Sequence, residues 1–355
     1  MISKKGSLRL TPGVMSTGSS TIHGLSDAKP NPSADLFGSV LASVSRSFFL
    51  TIRVLPTATR RPIGLAYLLA RTSDTLADSP GLSTQERLAM LRAFGEGLRD
   101  PRALPGRDAL ARFQERVSEP AEVKLLEEMP RLVELLGEAE AGDRADTLEV
   151  LEIIIRGQEL DLLRFEGGEG TGMRALESAA DLDDYAYRVA GCVGAFWTRL
   201  CHRHLRRYAR LDLETMLALG VGFGKGLQLI NILRDAPVDL ANGRCYLPLE
   251  TLRAHGIASP EVLLAEPHLA RPVFAEWIAT ARTHLDQGRH YIEAVRPWRL
   301  RLACFLPWAI GRETLDLLEA SPPLESRTRV KVSRKAVRRL FLQGLLAGWS
   351  NRPLR

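Results

Sequence analysis

Apolar residues recur at helical spacing from Asp35 almost to the end of this 355-residue chain, and nowhere do they settle into strand-like alternation. Leu36, Val40, Leu41, Val44 and Phe48 share one helical face, as do Ile63, Ala66, Tyr67 and Ala70. Further periodic stretches cover residues about 84–99, 119–138, 144–165, 181–208, 213–236, 268–296, 299–319 and 329–348. Breakers separate them at Pro56, Pro62, Pro80-Gly81, Pro101 to Gly106, Gly167-Gly168, Gly243 to Pro248 and Pro322-Pro323. A chain that offers helices and no strands must bury its apolar faces helix against helix. Aromatic residues are only 6%, so Leu, Ala, Val and Ile fill the core, which suits helices better than β-sandwiches. The expectation is an all-α protein with a single helical domain over residues 35–350. A flexible leader rich in Ser, Gly and Thr (residues 1–34) precedes it, and a short tail (351–355) follows.

Hydrophobic residues at 45% and charged residues at 25% describe an ordinary globular chain. No uninterrupted apolar run reaches 18 residues, which excludes a polytopic membrane protein. The net charge is +6, and the 48 basic residues divide into seven lysines and 41 arginines. Guanidinium forks match phosphate oxygens bidentately, so this bias fits phosphorylated ligands, nucleic acid or an anionic membrane; a codon preference for arginine accounts for it equally well. His202 and His204 lie among Arg199, Arg203, Arg206, Arg207 and Arg210 and read as a basic helix end. No recognition motif accompanies these charges, and nucleic acid is not an expected partner.

Cys192, Cys201, Cys245 and Cys304 show no CxxC spacing, so neither a disulfide framework nor a zinc site is suggested. With no secretory apolar segment at the N-terminus, the expected location is the cytoplasm. The stretch 340–349 (LFLQGLLAGW) follows Arg334, Lys335, Arg338 and Arg339 and precedes Arg352 and Arg355. As a helix it rises about 15 Å, half of a bilayer core, so it cannot span. It either packs as the final core helix or lies on the inner face of an anionic membrane.

Chemistry enters with the aspartates. The chain has 17, and only Asp74/Asp78 and Asp235/Asp239 are spaced i, i+4. That spacing puts both carboxylates of a pair on one helical face. Each pair also has an arginine close before it, Arg71 and Arg234. Paired carboxylates suit a hard ion such as Mg²⁺, with diphosphate oxygens and water completing its octahedron. Two pairs on facing helices would form a metal clamp, leaving the arginines to hold the remaining phosphate charge.

The flanking blocks are S-R-S-F at residues 45–48, R-x-x-D-T-x-x-D at 71–78, Y-A-Y-R-V-A-G-C-V-G at 185–194, and N-I-L-R-D-x₃-D-x₃-G-R-x-Y-L-P at 231–248. In order and spacing, over about residues 38–350, the chain resembles the squalene/phytoene synthase family, the head-to-head prenyl-diphosphate coupling enzymes. The D-T opening and the R-C-Y-L-P ending resemble squalene synthases more than phytoene synthases.

The resemblance implies an isoprenoid-synthase fold with a central apolar cavity and both Asp motifs at its mouth. It implies that Asp74, Asp78, Asp235 and Asp239, with Asn231, hold Mg²⁺. Ser45, Arg46, Arg71 and Arg234 would cradle diphosphate, and Tyr67 and Gln228 would line the chamber. Tyr185 would lie near the proton lost in the first step. With an ordinary pKa near 10 it needs cationic neighbours or a diphosphate relay to act as a base. NADPH is implied as reductant, near Arg244 and the basic segment of Lys331, Arg334 and Lys335. No GxGxxG between a strand and a helix offers a Rossmann site.

Three departures from the family pattern stand out. Ala77 leaves the first motif with two carboxylates, and Pro237 sits inside the second, where it removes a helix hydrogen bond. Ala303 occupies a place where eukaryotic relatives carry an aromatic, so Phe305 or Trp308 is the expected shield for a carbocation. The expected activity is a farnesyl-diphosphate farnesyltransferase of squalene-synthase type, acting through presqualene diphosphate, as a monomer or weak dimer. The alternatives are a phytoene, dehydrosqualene or presqualene diphosphate synthase without the reductive step, or a non-catalytic relative acting as an assembly protein.

Overall fold

The computed structural model describes residues 36–45, 48–79, 81–166, 172–324 and 330–349. The leader, the 351–355 tail and Arg46 lie outside the described residues. The all-α expectation holds. The principal helices are α1 (Thr57–Asp78), α2 (Thr84–Gly97), α3 (Ala141–Arg164), α4 (Cys192–His204), α5 (Leu213–Ala241), α6 (Ala270–Ala294), α7 (Trp298–Ala320) and α8 (Arg334–Trp349). Local chemistry fixes several of their starts. Ser83 caps α2 in a reciprocal box with Glu86, and the Asp212 carboxylate accepts the Thr215 amide at 2.9 Å to open α5.

Helix α5 is the axis of the bundle, packed by α4, α6 and α7. By length and mean hydropathy alone it could cross a membrane, but more than half of its most apolar stretch is buried inside the bundle. Its apolarity comes from being apolar on several faces at once: Ile230, Ile232 and Leu233 point in widely different directions around the helix and are all buried. Glycines set how closely α4 approaches it. A Cβ on Gly194 would stand 2.0 Å from the Gly220 carbonyl oxygen, and one on Gly224 would stand 2.2 Å from that of Ala190. On the α6 side, Gly222 and Gly226 make room for Gln287 and His284.

Helix α3 packs against α1, α2 and α4. Helix α1 faces α5 across an enclosed space rather than packing on it. Strands β1 (Arg174–Ala175) and β2 (Arg244–Cys245) form a two-residue parallel pair with Arg174 opposite Arg244. Gly243, at φ +75°, ends α5 in the left-handed conformation that favours glycine and turns the chain into β2.

The basic end of α4 is not a free cationic surface. Arg203 pairs with Asp143 and Asp146 at 2.8 and 2.6 Å, and His204 Nε2 lies 2.8 Å from Asp143. Glu140, Asp143 and His204 could offer ligands to one metal ion, but Arg203 already neutralises Asp143 there. Helix α8 packs on α7 through Leu340 and Gly344, the latter against Leu302 and Phe305, while Leu342 stays exposed. One face of the 340–349 stretch is thus core-packed.

Candidate active site

A cavity of about 660 Å³ lies among α1, α3, α4, α5 and α7. Its polar wall carries Asp74 and Asp78 from α1, Gln158 and Asp161 from α3, Gln228 and Asn231 from α5, and also Tyr185 and Arg244. The remaining wall is apolar, with Phe196, Trp197 and Phe223 among small residues such as Ala66 and Ala303. Gly220 in that apolar wall lies about 16 Å along α5 from Asn231 in the polar wall, at 1.5 Å per residue. One chamber therefore joins an acidic region to a long apolar one.

Asp74 and Asp78 both line the cavity from α1. Asp74 Oδ1 accepts from Gln158 Nε2 at 2.7 Å, and Arg71 Nη1 lies 3.7 Å from Asp74. Arg71 also pairs with Glu122, so a diphosphate would compete with that carboxylate for it. The Asp74 side chain lines the cavity and keeps 43% of its surface open. Desolvation there, reinforced by the charge of Asp78, lifts the Asp74 carboxyl to about 7 against the pull of Arg71 and Gln158. Asp78 is raised too, chiefly by its enclosure, with Arg244, Arg71 and Arg87 opposing. Gln158 Oε1 is buried with no hydrogen-bond partner. Two under-neutralised carboxylates beside an orphaned amide oxygen form a hard-oxygen set that fits Mg²⁺.

On α5 the second motif divides. Asn231 and Gln228 face the cavity, with Asn231 Nδ2 donating to Gln228 Oε1 at 3.4 Å. Asp235 instead holds the guanidinium of Arg234, at 3.0 and 2.8 Å, and does not line the main cavity. Pro237 does not break the helix, which continues to Ala241. Asp239 lines a small side pocket with Arg244 and Tyr246, and its charge reaches Tyr185.

Several expectations need correction. Ser45, assigned to diphosphate, is buried, donates its hydroxyl to the Leu41 carbonyl of its own helix, and does not line the cavity. Tyr67 does line it, with its hydroxyl 3.5 Å from the Val44 carbonyl. Tyr185 has carboxylates, not cations, as its main charged neighbours: burial first, then Asp161, Asp78 and Asp239, push its phenol well above the ordinary value. It is a phenol that stays protonated.

Phe305 and Trp308 pack in the core, where Trp308 donates to the Leu285 carbonyl; α7 presents Ala303, Cys304 and Pro307 to the cavity instead. Of the residues assigned to NADPH, Arg244 lines the cavity while Lys331 and Arg334 are exposed and do not. That set does not come together as one nicotinamide site on this chamber.

Sequence reasoning missed Gln158, Asp161 and Tyr246. A faint signal existed on α3, where Gln158 and Asp161 form a polar stripe one turn apart beside the cavity-facing Ile154.

The raised Asp74 carboxyl has a consequence for stability. Its folded value of about 7 lies above the ordinary 3.8, so the folded state holds a proton that the unfolded chain has lost, and this group costs stability increasingly as pH rises from about 4 to 7. Asp74→Asn removes that cost. In EDTA the variant is expected to melt higher than the wild type at pH 8 and no higher at pH 4, by thermal unfolding; a lower melting temperature at pH 8 would contradict the assignment.

Comparison with known proteins agrees with this geometry. Residues 41–336 match the family described as Squalene/phytoene synthase. The presqualene diphosphate synthase of Sinorhizobium fredii is 31% identical over 305 residues, covering 85% of this chain and 93% of that protein. The Botryococcus squalene synthase of Botryococcus braunii is 25% identical over 310 residues and 85% of this chain, which spans only 61% of that relative's length. Among solved structures, TcSQS in complex with the ligand E5700 superposes with a TM-score of 0.72 at 24% identity, covering 88% of this chain and 87% of that one, and so shares the fold. With the two aspartate motifs on helices that face each other across one cavity, the chain belongs to the squalene/phytoene synthase family.

Proposed function

We propose that this protein couples two molecules of farnesyl diphosphate head to head to form presqualene diphosphate. The observation that carries the reading is the joining of an acidic wall and a long apolar wall in one chamber. Asp74 and Asp78, with Asn231, Asp235 and Asp239 from α5, are the residues that would hold Mg²⁺. When bound there, Mg²⁺ would neutralise the departing diphosphate. Arg71 and Arg234 each leave a carboxylate partner to grip phosphate oxygens, exchanging one charge-assisted contact for another.

The allylic cation then attacks the C2–C3 double bond of the second chain, and proton loss closes a cyclopropane. Phe196, Trp197 and Phe223 keep water from the cation, and ring faces stabilise positive charge.

Reduction onward to squalene by NADPH is a longer form of the same reaction. Lys331 and Arg334 stand outside the cavity wall, so coupling without reduction has the better support. The likeness to a presqualene diphosphate synthase over 93% of that protein points the same way. Purified protein with farnesyl diphosphate and Mg²⁺, with and without NADPH, tests this by mass spectrometry of the products. Presqualene diphosphate is expected in both arms. Squalene appearing only with NADPH would establish the longer reaction, and coupling of geranylgeranyl diphosphate in preference would overturn the substrate.

A further inference from the structure

One acid in the cavity wall has no part in gripping diphosphate. Asp161 stands on α3 one turn beyond Gln158, with 17% of its side-chain surface open. Both of its carboxylate oxygens accept from the Tyr246 hydroxyl, at 3.0 and 2.9 Å. The Tyr246 ring rests 4.8 Å from the ring of Tyr185 and 5.0 Å from that of Phe165. The other charged groups around Asp161 are Arg244, 4.0 Å away, Arg164 on its own helix, and Asp78 from α1. It is a carboxylate backed by a phenol, on a helix that also presents Ile154 and Leu162 to the cavity.

The coupling proposed above needs a base in such a place. Once C1 of the first chain bonds to C2 of the second, positive charge rests on C3. Ring closure breaks a C–H bond at C1, its electron pair makes the C1–C3 bond, and the proton must leave. Tyr185 is already protonated and held so by its surroundings.

We propose that Asp161 accepts this proton on a carboxylate oxygen, an inference that rests on the coupling reaction itself. The cation is quenched, the carboxylate becomes a carboxylic acid, and the acid afterwards returns its proton to the released diphosphate. Enclosure raises the Asp161 carboxyl to about 6, a stronger base than a free carboxylate that is still ionised at neutral pH.

Asp161→Asn keeps an oxygen for the Tyr246 hydroxyl and removes the base. With farnesyl diphosphate and Mg²⁺, kcat for coupled product is expected to fall about 10²–10⁴-fold with KM little changed. Diphosphate release continues in the variant, with the stranded cation ending as a prenyl alcohol. Residual coupling shows a larger primary isotope effect than the wild type when the substrate is deuterated at C1. Tyr246→Phe breaks the same hydrogen bond from the other side and is expected to lose far less. Coupling by Asp161→Asn within about tenfold of the wild type, equal losses in the two variants, or an unchanged isotope effect would each overturn the assignment. A wild-type protein that forms no coupled product would instead overturn the coupling reading on which it rests.

Discussion

Asp74→Asn is expected to lower the coupling rate about a thousandfold or more, since losing about 4 kcal/mol of transition-state stabilisation has that effect. Asn keeps the shape of the side chain and an oxygen for the Gln158 amide, so the wall stays in place. What it removes is the charge that would share an ion with Asp78. The same substitution relieves the electrostatic cost of two enclosed carboxylates, so the inactive protein should also be the more stable one without metal above pH 7. Loss of activity with gain of stability separates a ligand role from simple misfolding. Steady-state kinetics at saturating Mg²⁺ provide the check, and activity above about a tenth of the wild type would contradict the clamp, because that corresponds to under about 1.4 kcal/mol.

Gly194→Ala should cost stability. The added methyl would lie 2.0 Å from the Gly220 carbonyl oxygen, which is backbone and cannot turn aside. Helix α4 would have to move off α5, and overpacking of this kind costs about 1–3 kcal/mol, at its upper end when backbone must shift. The cavity shares this wall, since Gly194, Gly220 and Gly224 all line it. Chemical denaturation of Gly194→Ala beside Gly38→Ala, where a Cβ meets nothing within 4 Å, is the informative comparison. Equal stability of the two would show that the helices are not in contact at these glycines.

The helices were legible because their causes are local. Apolar spacing, the Ser83–Glu86 box and the Asp212 cap each act within a turn or two. The aspartate pairs were legible for the same reason, since i, i+4 spacing alone places both carboxylates on one face. The alternation of Gly222, Gly224 and Gly226 is visible in the chain, but it does not say which helix approaches each of them or that Gly224 also lines the cavity.

What escaped the sequence depends on contacts between distant residues. Asp161 meets Tyr246 across 85 positions, and only the fold brings them together. On α7 the choice of Ala303, Cys304 and Pro307 over Phe305 and Trp308 as cavity wall is a matter of helix rotation, which an all-round apolar segment leaves open. A basic run such as Lys331 to Lys335 records charge but not the surface it faces. Tyr185 could be judged a weak base from its ordinary pKa, but its carboxylate neighbours come from three separate stretches of chain.

The most direct test of the account is to count diphosphate released against coupled product formed when the purified protein meets farnesyl diphosphate and Mg²⁺. A chamber that holds two chains and excludes water should release one diphosphate for every presqualene diphosphate made, with little prenyl alcohol. Diphosphate released alongside prenyl alcohol and no coupled product would contradict it, because the cavity would then hold one chain and admit water.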